Sequence, residues 1–64
     1  MQSGDLRIGK TNSWIGERVI LVVRVENTKY HPERIVDILL SDGRLSRDTY
    51  HYINTYTVPI EDKL

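Results

Sequence analysis

The chain has 64 residues, with nine basic and nine acidic side chains and no cysteine. A chain of this length forms one domain at most and buries only about 60% of the surface that its unfolded form exposes, so its stability is marginal. These features exclude disulfide cross-links and the long-range positive field that steers proteins to nucleic acid, and they leave a well-packed core or self-association to stabilise the domain.

The first predicted element is a short strand followed by a polar loop. Gly4 and Asp5 form a turn signal, and apolar and charged residues alternate directly after them, which predicts a strand over residues 5–9. The polar side chains of the next segment compete with the backbone for hydrogen bonds, and glycines stand at both of its borders. Residues 10–16 are therefore predicted to form a loop.

The second predicted element is a strand over residues 18–26, a segment rich in β-branched side chains. Its expected core face carries Val19, Leu21, Val23 and Val25. The opposite face is polar at both ends but apolar at Ile20 and Val22. Such a strand is buried on both sides over part of its length, either because it bends to serve two sheets of a barrel or because it lies at a subunit contact.

The third predicted strand, over residues 33–40, leads into a hairpin. It follows a loop that ends at Pro32, and its core face carries Val36, Ile38 and Leu40. Asp42 and Gly43 between two apolar runs predict a two-residue loop of type I′, because that turn needs positive φ at both central positions. This loop pairs Ser41 with Arg44, Leu40 with Leu45, and Leu39 with Ser46. Leu45 therefore joins the expected core.

The predicted fourth strand is short, because the same register sets Asp37 opposite Asp48 and like charges destabilise a ladder. Regular pairing is expected to end near Arg47. Residues 49–54 are too few for a normal helix and too irregular for a strand, which favours a single 3-10 turn. A last strand over residues 56–60 contains a proline, which is expected either on an edge strand or at the end of its strand, and the final four residues form a tail.

The order of these elements, and several short motifs, resemble a known family. The motifs are Gly4-Asp5-Leu6, Trp14-Ile15-Gly16, the hairpin segment 36–43 and the segment 50–58. In these features the chain resembles small bacteriophage-encoded SH3-like barrel proteins. The resemblance implies an all-β, five-stranded SH3-like barrel over residues 1–64. It also implies a phage accessory protein or virion structural protein, and it implies no activity.

The aromatic side chains are the candidate contacts for a protein partner. Trp14 is the only tryptophan, and the chain has no phenylalanine. It lies in the loop that lines the ligand groove of SH3-like domains, so it is either a binding anchor or a cap on one end of the barrel. The predicted partner-binding set is completed by Tyr30, Tyr50 and Tyr52. Because tyrosine has an apolar body and a polar tip, these rings suit a protein interface, a partly buried barrel position or stacking on bases.

Catalytic and metal sites are not expected. His31 and His51 lack the spacing of transition-metal ligands, and no nucleophile with an orienting carboxylate can be assigned to either of them. A chain of this length also rarely encloses a pocket from which water is excluded. We therefore expect a protein that is not an enzyme and that needs no cofactor.

Two functions remain, and the first is a protein-interaction module that docks on a protein partner or a larger viral assembly, with self-association left open. The alternative is a nucleic-acid-binding module resembling KOW or Tudor-like barrels, which the balanced charge disfavours. Its candidate contacts are Arg18, Arg24, Arg44 and Arg47. No stretch approaches the roughly 18 apolar residues that span a bilayer, and the first residues lack the features of a signal peptide. The chain is therefore expected in the host cytoplasm or in the virion.

Overall fold

The fold is built on one antiparallel sheet of five strands. The computed structural model describes residues 1–27 and 33–63. The elements are β1 (Leu6–Gly9), β2 (Val19–Val25), β3 (Ile35–Leu40), β4 (Leu45–Thr49), α1 (Tyr50–Tyr56), β5 (Thr57–Pro59) and a 3-10 helix (Ile60–Lys63). The strand order across the sheet is β4-β3-β2-β1-β5. The prediction of a small, mostly β fold with five strands is confirmed. Pro59 lies on an edge strand and is also the last residue of that strand, so both of the expected placements are met.

The segment before β5 is an α-helix, so the prediction of a 3-10 turn there was wrong. Capping explains the difference, since the Thr49 side chain accepts a hydrogen bond from the Tyr52 N–H at 3.1 Å, and the Thr57 N–H donates to the Ile53 carbonyl. Ile53 is also fully buried, and this packing stabilises a helix that is too short to form alone. Residues 60–63 form a 3-10 helix where a tail was expected. No helix in the described ranges is long and apolar enough to cross a bilayer.

The β3–β4 hairpin has a three-residue loop in place of the predicted two-residue loop. The Leu40 N–H donates to the Arg44 carbonyl at 2.8 Å, and the Gly43 N–H donates to the Leu40 carbonyl at 3.0 Å. Gly43 has a φ of 90°, the left-handed conformation that closes a three-residue hairpin loop. The predicted register was therefore wrong by one residue, and Leu45 lies opposite Leu39.

The shift in register changes both the core and the charge pairing of β4. A slip of one residue moves side chains to the other face of a strand, and Leu45 is accordingly 71% exposed rather than part of the core. Asp37 now lies opposite Arg47, and their side chains form an ion pair at 3.3 Å. The predicted clash between Asp37 and Asp48 does not arise, and pairing continues to Thr49.

The core face of β2 is the opposite of the predicted one. Ile20 and Val22 are fully buried, because they pair with Leu40 and Ile38 on the inner face of β3. The register shifts between Val22 and Arg24. The buried hydrophobic residues are Ile15, Ile20, Val22, Val36, Ile38, Leu40 and Ile53. The prediction for β3 was therefore right, whereas Val19, Leu21, Val23 and Leu45 do not belong to the core.

A buried arginine ties the first and last strands together. The Arg7 Nε donates to the Thr57 Oγ1 at 2.6 Å, and its Nη2 donates to the Thr57 carbonyl at 3.0 Å. The Thr57 hydroxyl in turn donates to the Ile53 carbonyl at 2.6 Å. Burial lowers the pKa of the Arg7 guanidinium, and the charge of Asp5 opposes this shift. This network joins β1, β5 and α1 by charge-assisted hydrogen bonds.

The hairpin geometry predicts a large effect for one substitution and a small effect for its neighbour. Gly43→Val forces a β-branched residue into positive φ and should cost about 1–2 kcal/mol of unfolding free energy. Leu45→Ala removes a mostly exposed side chain and should change stability by less than about 0.5 kcal/mol. Urea denaturation of both variants measures the effects. A loss of several kcal/mol for Leu45→Ala would show instead that Leu45 is buried and that the hairpin has the predicted two-residue loop.

Candidate interaction surface

The loop between β1 and β2 presents Trp14 to solvent. The loop is closed by hydrogen bonds from the Ser13 N–H to the Lys10 carbonyl at 3.0 Å and from the Gly16 N–H to the Ser13 carbonyl at 3.2 Å. The neighbouring Ile15 is fully buried and anchors the loop in the core. Trp14 itself is 44% exposed. The sequence therefore holds this ring at the surface by burying the residue that follows it.

Two hydrogen bonds fix the orientation of Trp14. Its indole Nε1 donates to the Asp48 Oδ2 at 2.9 Å, and its backbone N–H donates to the Tyr52 hydroxyl at 3.2 Å. A groove of about 220 Å³ runs beside the ring. Its lining is formed by Trp14, Leu40, Arg44, Leu45 and Ser46. We call this feature the Trp14 groove, and it combines an oriented aromatic ring with the exposed Leu45.

The predicted tyrosines do not form one cluster. Tyr52 contacts Trp14 and also stacks on Tyr56, with ring centroids 4.5 Å apart, as expected for residues four apart on a helix. Tyr50 lies under the Arg34 guanidinium, 4.0 Å from the ring centroid. Its hydroxyl accepts a hydrogen bond from the amino group of Met1 at 3.3 Å. Tyr30 lies outside the described residues.

Three of the four candidate arginines pair with a carboxylate, whereas the Arg18 Nε donates to the Ile15 carbonyl at 2.7 Å. Arg24 and Arg47 both pair with Asp37, at 3.6 and 3.3 Å. Arg44 pairs with Asp42 at 2.8 Å. The Arg44 backbone N–H, followed by the charges of Arg44 and Arg18, holds the pKa of the Asp42 carboxyl below its ordinary value. The carboxylates reduce the attraction that these arginines would exert on phosphate.

A second surface was not predicted from the sequence. Four leucines lie in register across β1, β2, β3 and β4, and we call them the leucine row. They are Leu6, Leu21, Leu39 and Leu45. Leu6 is 48% exposed, and the two central leucines are half-buried. The sequence hinted at this surface, because β2 has apolar residues on both faces. However, Leu21 and Leu45 were assigned to the core.

The role of Asp48 was also missed, because it lies 34 residues from Trp14 in the chain and only the tertiary structure joins them.

Comparison of the chain with protein-family models, with curated proteins and with solved structures gave no match. The Trp14 groove and the leucine row are therefore interpreted from their own geometry.

Proposed function

We propose that the chain is a non-enzymatic protein-interaction module, folded as a five-stranded SH3-like barrel, that binds its partner at the Trp14 groove. The strand order supports the barrel, since β1 pairs with both β2 and β5 and so brings the last strand beside the first. A single helical element between β4 and β5 has the place expected for such a barrel. The groove then lies between the first long loop and the β3–β4 hairpin.

The orientation of Trp14 is the observation that carries the proposal. Tryptophan is enriched among the residues that dominate binding energy at protein interfaces. Here the ring is exposed, yet Asp48 and Tyr52 already hold it in one position. Such a ring has little conformational freedom left to lose when a partner binds, which favours affinity. The exposed Leu45 beside it extends the apolar contact.

The resemblance to bacteriophage SH3-like proteins gives the proposal a more specific form. In that form the chain is a phage accessory protein or virion component that docks on a larger assembly through the Trp14 groove. The pairing of arginines with carboxylates favours a protein partner over a nucleic acid. Affinity for a protein at an aromatic groove should change little with salt, whereas affinity for phosphates should fall steeply.

Substitution of Trp14 tests the proposal by separating binding from folding. The tagged chain is used to capture partners from infected or native cells, and the affinity for the identified partner is then measured. Trp14→Ala should weaken that affinity by about 30-fold or more, because an anchor residue contributes about 2 kcal/mol or more. Its melting temperature should fall only slightly, since the ring is partly exposed.

His51→Ala is the matched control, because His51 is an exposed ring on the same helix as Tyr52 but makes no described contact with Trp14. It should leave both the affinity and the melting temperature unchanged. Asp48→Ala should weaken binding less than Trp14→Ala, since it frees the indole without removing it. A large fall in the melting temperature of Trp14→Ala would show instead that this ring caps the barrel core.

A further inference from the structure

The outer face of the sheet carries an apolar surface that shares only Leu45 with the Trp14 groove. The leucine row crosses four strands, and the exposed Val23 lies on the same face of β2 as Leu21. Contiguous apolar patches of this kind mark interaction sites in soluble domains. We propose that the leucine row binds an acidic amphipathic α-helix of a protein partner. This surface would give the module a second contact beyond the one assigned to the Trp14 groove.

The dimensions of the row fit a helix. Adjacent strands lie about 4.8 Å apart, so four leucines in register span about 15 Å. A helix rises about 1.5 Å per residue, and ten helical residues therefore cover the row. An amphipathic helix presents its apolar side chains as one stripe, with polar residues along both sides of it. The row matches such a stripe in both length and composition.

The charges beside the row select an acidic helix. The next position on the outer face of β2, β3 and β4 is occupied in register by Arg24, Asp37 and Arg47. The two arginine side chains are 66% and 72% exposed and share the single carboxylate of Asp37. This cluster therefore keeps one positive charge in excess. Glutamate or aspartate along one side of the helix would lie against it, and charge complementarity of this kind governs partner choice.

A second copy of the chain is a poorer occupant than an acidic helix. A symmetric contact uses the same patch on both subunits, so the arginine cluster would enter the interface twice. Both copies would then contribute an excess of positive charge, and like charges at an interface disfavour association. An acidic helix supplies the opposite charge without this cost.

The test is an NMR titration of the isotope-labelled full chain with two synthetic amphipathic peptides of about fourteen residues, long enough to cover the row as a helix. Both carry the same leucine stripe, flanked by glutamates in one peptide and by lysines in the other. The acidic peptide should shift the methyl signals of Leu6, Leu21 and Leu39. It should also bind about ten-fold more tightly than the basic peptide, and this preference should shrink at high salt.

Four variants assign the effect to this surface. Leu6→Ser should weaken binding of the acidic peptide by about ten-fold or more, and Arg47→Glu should remove the preference for it. Lys10→Glu makes the same charge change in the loop after β1 and should leave the preference intact. Trp14→Ala should also leave peptide binding unchanged, so this surface and the Trp14 groove can fail independently.

Three results would overturn the inference. The first is equal binding of the acidic and basic peptides, or binding of neither. The second is a set of shifts confined to the Trp14 groove. The third is a concentration-dependent dimer in sedimentation equilibrium that is abolished by Leu6→Ser, since that result would assign the row to a second copy.

Discussion

Gly9→Ala is expected to cause a large loss of stability, about 3 kcal/mol of unfolding free energy, at the upper end of the range for overpacked cores. A Cβ built on Gly9 overlaps the backbone carbonyl oxygen of Gly16 and lies 2.7 Å from the Ile15 Cγ2. The backbone oxygen cannot move aside without displacing the loop that holds Ile15 in the core. For a domain of this size the loss approaches the whole stability, so much of the population should unfold. Urea denaturation followed by tryptophan fluorescence measures the change.

Gly16→Ala is the matched control for this substitution. Gly16 has a φ of 69°, but a Cβ there meets no atom within 4 Å. Alanine at this position should therefore cost only the conformational penalty of a left-handed residue, about 1–2 kcal/mol. If Gly9→Ala lost no more unfolding free energy than Gly16→Ala, this would contradict the close contact between β1 and the loop that presents Trp14.

Ile20→Ala should destabilise the domain by about 2–5 kcal/mol, because truncation of a buried isoleucine loses its transfer free energy and leaves a cavity. Ile20 is fully buried and lies between Arg7 on β1 and Leu40 on β3. The neighbouring Leu21→Ala removes a half-buried side chain from the outer face and should cost clearly less. Thermal or urea unfolding of the two variants compares the faces of β2 directly.

The same pair of variants can also contradict the fold described here. If Leu21→Ala lost more unfolding free energy than Ile20→Ala, the buried face of β2 would be the one predicted from the sequence. Val23→Ala serves as a control on the outer face, since Val23 is exposed beside the register shift that follows Val22. It should change the unfolding free energy by less than about 1 kcal/mol.

The positions of the strands along the chain could be predicted because their signals are local. The β-branched run of β2, the alternation in β3 and the glycine of the hairpin all report on the backbone within a few residues. Pro59 placed β5 at an edge for a similar reason, since a proline cannot donate to a second neighbour. The helix α1 was missed because its caps and the burial of Ile53 stabilise it more than its own residues do.

The Trp14 groove was predicted in part. The residue type of Trp14 and its position in a polar loop pointed to a binding anchor. Tyr52 was in the predicted set and does contact Trp14, whereas Tyr50 lies against Arg34. Asp48 and Leu45 complete the groove, but neither carries a local signal that it would meet an aromatic ring.

The sequence by itself determined that this is a small, mostly β chain, and it determined the approximate positions of the five strands. Backbone propensities act over a few neighbouring residues, so these positions are local properties. Only the tertiary structure decided which face of β2 is buried and which residues of β4 point outward. One extra residue in the hairpin loop moved Leu45 from the expected core to the outer face. Since side chains alternate along a strand, a slip of a single residue exchanges core and surface. That shift in pairing placed Leu45 both in the leucine row and beside Trp14.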